Sequence, residues 1–99
     1  MEYFVIGDSD TVLGFSLVGV NGIAVSTEAE ARAAWDKALE DKEHAVIIIT
    51  SAAAGMIRST VDRFLFSETF PLVVEIPSPG GEKGPDLREL VNEAIGVSL

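Results

Sequence analysis

Two groups of polar residues in this chain have types and spacing that could do chemistry. Asp8 and Asp10 set two carboxylates two positions apart, flanking Ser9, directly after the apolar run Tyr3 to Ile6. Thr50 and Ser51 stand after a second apolar run, Ala45 to Ile49. A pair of carboxylates can hold Mg²⁺ through hard oxygen ligands. Phosphoryl transfer to such a site also needs a carboxylate at the end of the third strand and a lysine after a later one. Thr50 and Ser51 occupy the first place, and no lysine directly follows the fourth strand. These small polar residues are therefore expected to cap helices and close turns.

The other candidates are weaker. No G-x-x-x-x-G-K-[ST] phosphate loop is present, and Gly7-Asp8-Ser9-Asp10 lacks both its glycines and its lysine. A flavin phosphate would meet repulsion from Asp8 and Asp10. His44, the one histidine, could titrate near neutrality, but no serine and aspartate group with it. It is expected on the surface, in a charged turn before the third strand. Trp35 is expected to anchor the core. Glu75 interrupts Val73-Val74 and Ile76, either as a charged guard on an edge strand or as a partner contact. No catalytic residue, metal ligand or cofactor site is expected, and no cofactor.

The elements that must position these residues alternate. Glu2 to Gly7 reads as a strand, Thr11 to Leu17 as a short helix capped by Ser9 or Asp10, and Ile23 to Val25 as a second strand. Thr27 and Glu30 form a capping box that opens a helix to about Asp41, with Ala31, Trp35, Ala38 and Leu39 along one side. Ala45 to Thr50 is the most apolar strand and the expected centre of the sheet. Ser51 opens a third helix with a stripe of Ile57, Val61, Phe64 and Leu65, and Leu72 to Ile76 is the fourth strand. Alternation of this kind predicts a small doubly wound α/β domain. Its sheet is parallel and receiver-like, of order 2-1-3-4, with helices on both faces.

Composition bounds the function. The 99 residues make one domain, with no cysteine for disulfides or thiolate metal sites. A net charge of −9 disfavours nucleic acid and anionic lipid as partners. No apolar run is long enough to span a bilayer, and acidic Glu2 stands where a signal peptide would need a basic residue. A soluble cytoplasmic protein is expected.

Ile76-Pro77-Ser78-Pro79-Gly80-Gly81-Glu82-Lys83-Gly84-Pro85 divides the chain into an α/β head (1–77), a Pro/Gly loop (78–85) and a C-terminal helix (86–99). The prolines stop the strand, the glycines predict a mobile hinge, and Pro85 suits a first helical turn. Leu87, Leu90, Val91, Ala94 and Ile95 form an apolar stripe. An isolated helix of about ten residues is marginal in water, so the stripe is expected to pack on its own sheet, on a partner, or on both in turn. With Glu75 it is the proposed partner interface.

Val5-Ile6-Gly7-Asp8-Ser9-Asp10-Thr11-Val12 followed by Gly14-Phe15-Ser16-Leu17-Val18-Gly19 resembles the opening of the F subunit of archaeal-type and vacuolar-type rotary ATPases. Ala45 to Thr50, Pro71 to Pro79 and the closing Leu87-Arg88-Glu89-Leu90-Val91 with Ala94-Ile95-Gly96 are similar to it as well. The resemblance covers essentially the whole chain. It implies a non-catalytic rotor subunit of the central stalk that binds the coiled-coil stalk subunit (the D subunit) below the catalytic hexamer. It also implies a place on the cytoplasmic membrane face, in a complex that couples ATP hydrolysis or synthesis to ion transport. Ser16 departs from a usually basic position, and Ser51-Ala52-Ala53 from a commonly acidic one. The alternative is a degenerate receiver-like signalling or protein-interaction module.

Overall fold

A computed structural model describes residues 2–78, in the order β1 (Glu2–Gly7), α1 (Ser9–Ser16), β2 (Asn21–Ala24), α2 (Glu28–Glu40), β3 (His44–Thr50), α3 (Ser51–Met56), α4 (Arg58–Ser67) and β4 (Leu72–Ile76). The expected C-terminal helix and most of the Pro/Gly loop lie outside the described residues. All three strand pairings are parallel, and the order is β2-β1-β3-β4, as expected. Parallel neighbours need crossovers, and the right-handed rule puts α1 on one face and the later helices on the other. Accordingly α1 packs on β1 and β2, whereas α2, α3 and α4 close over the opposite face.

That second face holds the core. Phe4 and Ile6 of β1 and Ile47 and Ile49 of β3 point to it with the period of two that a strand imposes. From α2 come Ala31, Ala34, Trp35 and Ala38, and Ala53, Ala54, Ile57 and Val61 complete the cluster. The alanines bring helix and sheet close, and Trp35 fills the space they leave, edge-on to Phe64 with ring centres 5.5 Å apart. Trp35 thus anchors the core as the sequence predicts.

Three local expectations are corrected. Asp8, not Ser9 or Asp10, caps α1, so the helix starts two residues earlier. The third helix is two helices, interrupted at Ile57, whose φ of −129° and ψ of 40° lie outside the helical basin. Ile57 is buried to 2% exposure, so tertiary packing of its side chain outweighs local propensity. Leu65, predicted on the buried stripe, is 48% exposed, because α4 lies toward the edge of the sheet where little covers its last turn.

The strands β1 and β2 meet tightly at Gly22, which pairs with Val5. A Cβ there would overlap the Val5 side chain and its carbonyl oxygen. Backbone cannot retreat as a flexible side-chain end can, so Gly22→Ala is expected to cost about 1–3 kcal/mol. Urea unfolding followed by circular dichroism reads this as a lower midpoint at unchanged slope.

Candidate functional site

The carboxyl ends of the strands, where the order reverses between β1 and β3, are the usual ligand crevice of such a sheet. Asp8 leaves β1 in extended backbone, and both its carboxylate oxygens bind Thr11. The Thr11 amide donates to Oδ2 at 3.0 Å and its hydroxyl to Oδ1 at 2.7 Å. These bonds, the hydroxyl's above all, hold the Asp8 carboxyl below its ordinary pKa. Asp10 is exposed in the first turn of α1. The Asp8 carboxylate is thus committed to Thr11, and Asp10 stands apart from that cap on the surface.

Thr50 ends β3 buried, its Oγ1 accepting the Ala53 amide at 3.3 Å as the cap of α3. Its methyl group lies over Gly7, where an added Cβ would come within 2.6 Å. Beside it the chain emerging from β4 is fastened down. The Ser78 hydroxyl accepts the Ala52 amide at 2.9 Å and lies 3.3 Å from the Ser51 hydroxyl, while the Ser78 amide donates to Ser51 Oγ at 3.2 Å. A residue after the strand thus helps to cap a helix 26 positions earlier. Sequence reasoning missed Ser78, because a cap contributed from so far along the chain leaves no local pattern.

The crest is therefore made of caps. Asp8 supplies α1 with the acceptor its free amides lack. Asp8→Ala is expected to cost about 0.5–2 kcal/mol. Since the folded-state pKa is depressed, this contribution is present above the unfolded value of 3.8 and is lost as pH falls through the folded one. The stability gap between wild type and variant should therefore close in acid, which chemical denaturation at pH 7 and below pH 3.8 checks.

At the edge of the sheet Glu75 meets Arg58 of α4 in a bidentate pair, with oxygen–nitrogen distances of 3.0 and 2.8 Å. Arg58 also reaches Asp62 at 3.2 Å. The strand's charge is thus engaged within the molecule, on the side of α4. Leu87, Leu90, Val91, Ala94 and Ile95 lie outside the described residues. Apolar groups unforeseen as a surface do appear near the edge: Phe66 is 94% exposed, and Phe70 and Leu72 are more than half exposed.

His44 is a further correction. It is buried, stacked on Phe4 with ring centres 4.5 Å apart, and its Nδ1 lies 2.8 Å from the Ala38 carbonyl oxygen. A register shift explains the difference. Glu2 pairs with His44 but Tyr3 with Val46, so Ala45 is an extra residue on β3. Simple alternation from Ile47 would turn His44 to the opposite face, and the extra residue turns it inward.

With this geometry in view, comparison with known proteins is specific. The family model of the ATP synthase (F/14-kDa) subunit matches residues 4–95. The F subunit of the A-type ATP synthase of Pyrococcus furiosus is 37% identical, over 100% of this chain and 98% of the relative. That of Methanothermobacter thermautotrophicus is 35% identical over 96% of this chain and 92% of the relative. The crystal structure of the F subunit of the V-type ATP synthase of Archaeoglobus fulgidus superposes with a TM-score of 0.60, covering 76% of this chain and 95% of that one. At 22% identity this last likeness speaks for the fold alone. The sequence matches extend from β1 into the region predicted as the C-terminal stripe, and the chain belongs to the family of F subunits of A-type and V-type ATP synthases.

Proposed function

We propose that the chain is a non-catalytic rotor subunit of the central stalk, bound to the coiled-coil stalk subunit beneath the catalytic hexamer. There it supports the coupling of ATP hydrolysis or synthesis to ion transport. The crest of the sheet carries this reading. Asp8, Thr50, Ser51 and Ser78 are engaged in capping two helices and fastening the end of β4. Among the described residues no nucleophile and base converge there, so a binding role fits better than a reaction.

The head's exposed Phe66, Phe70 and Leu72 and the stripe of Leu87, Leu90, Val91, Ala94 and Ile95 are the proposed contacts, with Glu75 at the rim. Apolar groups of this size suit the ridges of a partner helix. No described helix is long and apolar enough to cross a membrane, consistent with a peripheral place on the cytoplasmic face. The test is co-expression with the coiled-coil stalk protein, followed by size-exclusion chromatography with mass determination. A stable one-to-one complex is expected. Separate elution of two folded proteins would overturn the stalk assignment.

A further inference from the structure

The opposite end of the sheet, at the amino ends of β1 and β3, holds a cluster that capping does not explain. Glu2, Asp41 and His44 each offer a ligand atom, all within 4.8 Å of one another. His44 is 7% exposed, whereas both carboxylates reach the surface. The groove in front of them is also lined by Lys37, Glu40 and Asn21.

The hydrogen bonds around His44 decide what the cluster lacks. A carbonyl oxygen can only accept, so the Nδ1 at 2.8 Å from the Ala38 carbonyl carries the hydrogen. In the neutral ring this leaves Nε2 as a lone pair. It faces Asp41 Oδ2 at 3.7 Å, another acceptor and too far for a hydrogen bond. The other oxygen, Asp41 Oδ1, accepts the Glu43 amide at 2.9 Å, which fixes the carboxylate's direction. Glu2 is held across the sheet by its own amide, which donates to the Glu43 carbonyl at 2.9 Å.

We propose that Glu2, Asp41 and His44 form a binding site for a divalent transition cation of the zinc type. His44 Nε2 and one oxygen from each carboxylate would be its protein ligands, and water completes the shell from the groove. A metal-bound imidazole characteristically donates its second N–H to a carbonyl or carboxylate, the arrangement Ala38 already provides. One nitrogen and two oxygens suit Zn²⁺ better than Mg²⁺, which favours an all-oxygen octahedron. A tetrahedral ion with bonds of about 2.0–2.1 Å wants its ligand atoms about 3.4 Å apart. The Nε2–Oδ2 separation of 3.7 Å is nearly that already, and the exposed Glu2 side chain can close the remainder by rotation. Among the described residues, Lys37 is the one lysine or arginine lining the groove.

The bound ion would join the start of β1 to the end of α2 and the start of β3. This site is independent of the stalk role and lies at the other end of the sheet from the crest. The test is titration of the untagged full-length protein with Zn²⁺, by calorimetry and by nitrogen NMR of the His44 ring. One ion per chain is expected, with a shift of the Nε2 resonance and a rise in melting temperature. Glu2→Gln and Asp41→Asn should each weaken binding by about tenfold or more. Asp41→Asn keeps an oxygen for the Glu43 amide, and Glu2→Gln alters an exposed side chain, so both should fold even if His44→Gln does not. Binding that never saturates, or that both carboxylate variants leave unchanged, would mean an adventitious cation on an acidic surface and would overturn the site.

Discussion

Replacing Trp35 with alanine is expected to lower the stability of the chain by about 3–5 kcal/mol, the usual result of emptying a large aromatic site. Trp35 is 2% exposed, and its neighbours Ala31, Ala34 and Ala38 have no side-chain length with which to fill the gap. Its edge-on contact with Phe64 ties α2 to α4, so the loss would loosen two helices from one face of the sheet. Folded domains hold only about 5–15 kcal/mol in all, and a head of this size sits toward the lower end. The variant should therefore melt far below the wild type, with a much lower urea midpoint. Trp35→Phe restores most of the volume and should recover more than half of the difference. If Trp35→Ala shifted the midpoint no more than a surface substitution does, the core assignment would be wrong.

Ending the chain after Gly84 is expected to abolish co-elution with the coiled-coil stalk protein while leaving the head folded. Among the described residues, the sheet and the cluster around Trp35 draw on none beyond Ile76, so far-ultraviolet circular dichroism should keep its α/β character. The removed stripe includes Leu87, Leu90, Val91 and Ile95, large apolar side chains whose burial is worth about 1.5–3 kcal/mol each. Losing them costs several kcal/mol, and each 1.4 kcal/mol is about tenfold in affinity. A truncated chain that still co-elutes would shift the interface to Phe66, Phe70 and Leu72, and the triple alanine variant of those residues would be the next measurement.

The architecture was legible because its signals are local and repeat. Four apolar runs separated by helical stretches suffice for a parallel sheet, and the crossover rule then leaves few orders to consider. Thr27 was readable for the same reason: its hydroxyl accepts the Glu30 amide at 3.1 Å, three residues on. Even here the box differs in detail, since the Glu30 carboxylate accepts the Ser26 amide at 2.8 Å, one residue before the cap. What stayed hidden depends on contacts between distant residues. Ser78 caps a helix from a different element, the interruption at Ile57 follows from burial, and one extra residue in β3 reverses the side to which His44 points. In each case the local pattern fits another arrangement equally well, and packing decides.

The fastening of Ser78 also sets a limit of reach. Because its hydroxyl and amide are bound to the start of α3, the chain beyond departs from a fixed point on the crest. Eight residues separate Ser78 from Leu87, and at about 3.3–3.6 Å per step they reach no more than about 32 Å. A partner that holds Leu87 is thus confined within that radius of the crest, at an effective concentration in the millimolar range for so short a covalent link. A partner that takes hold of the stripe therefore brings the head to itself without a second diffusional encounter. Ser78→Ala would strip away the hydroxyl's bonds to Ser51 and Ala52 and leave the amide's bond to Ser51 Oγ, so the same reach would start from a more loosely held root.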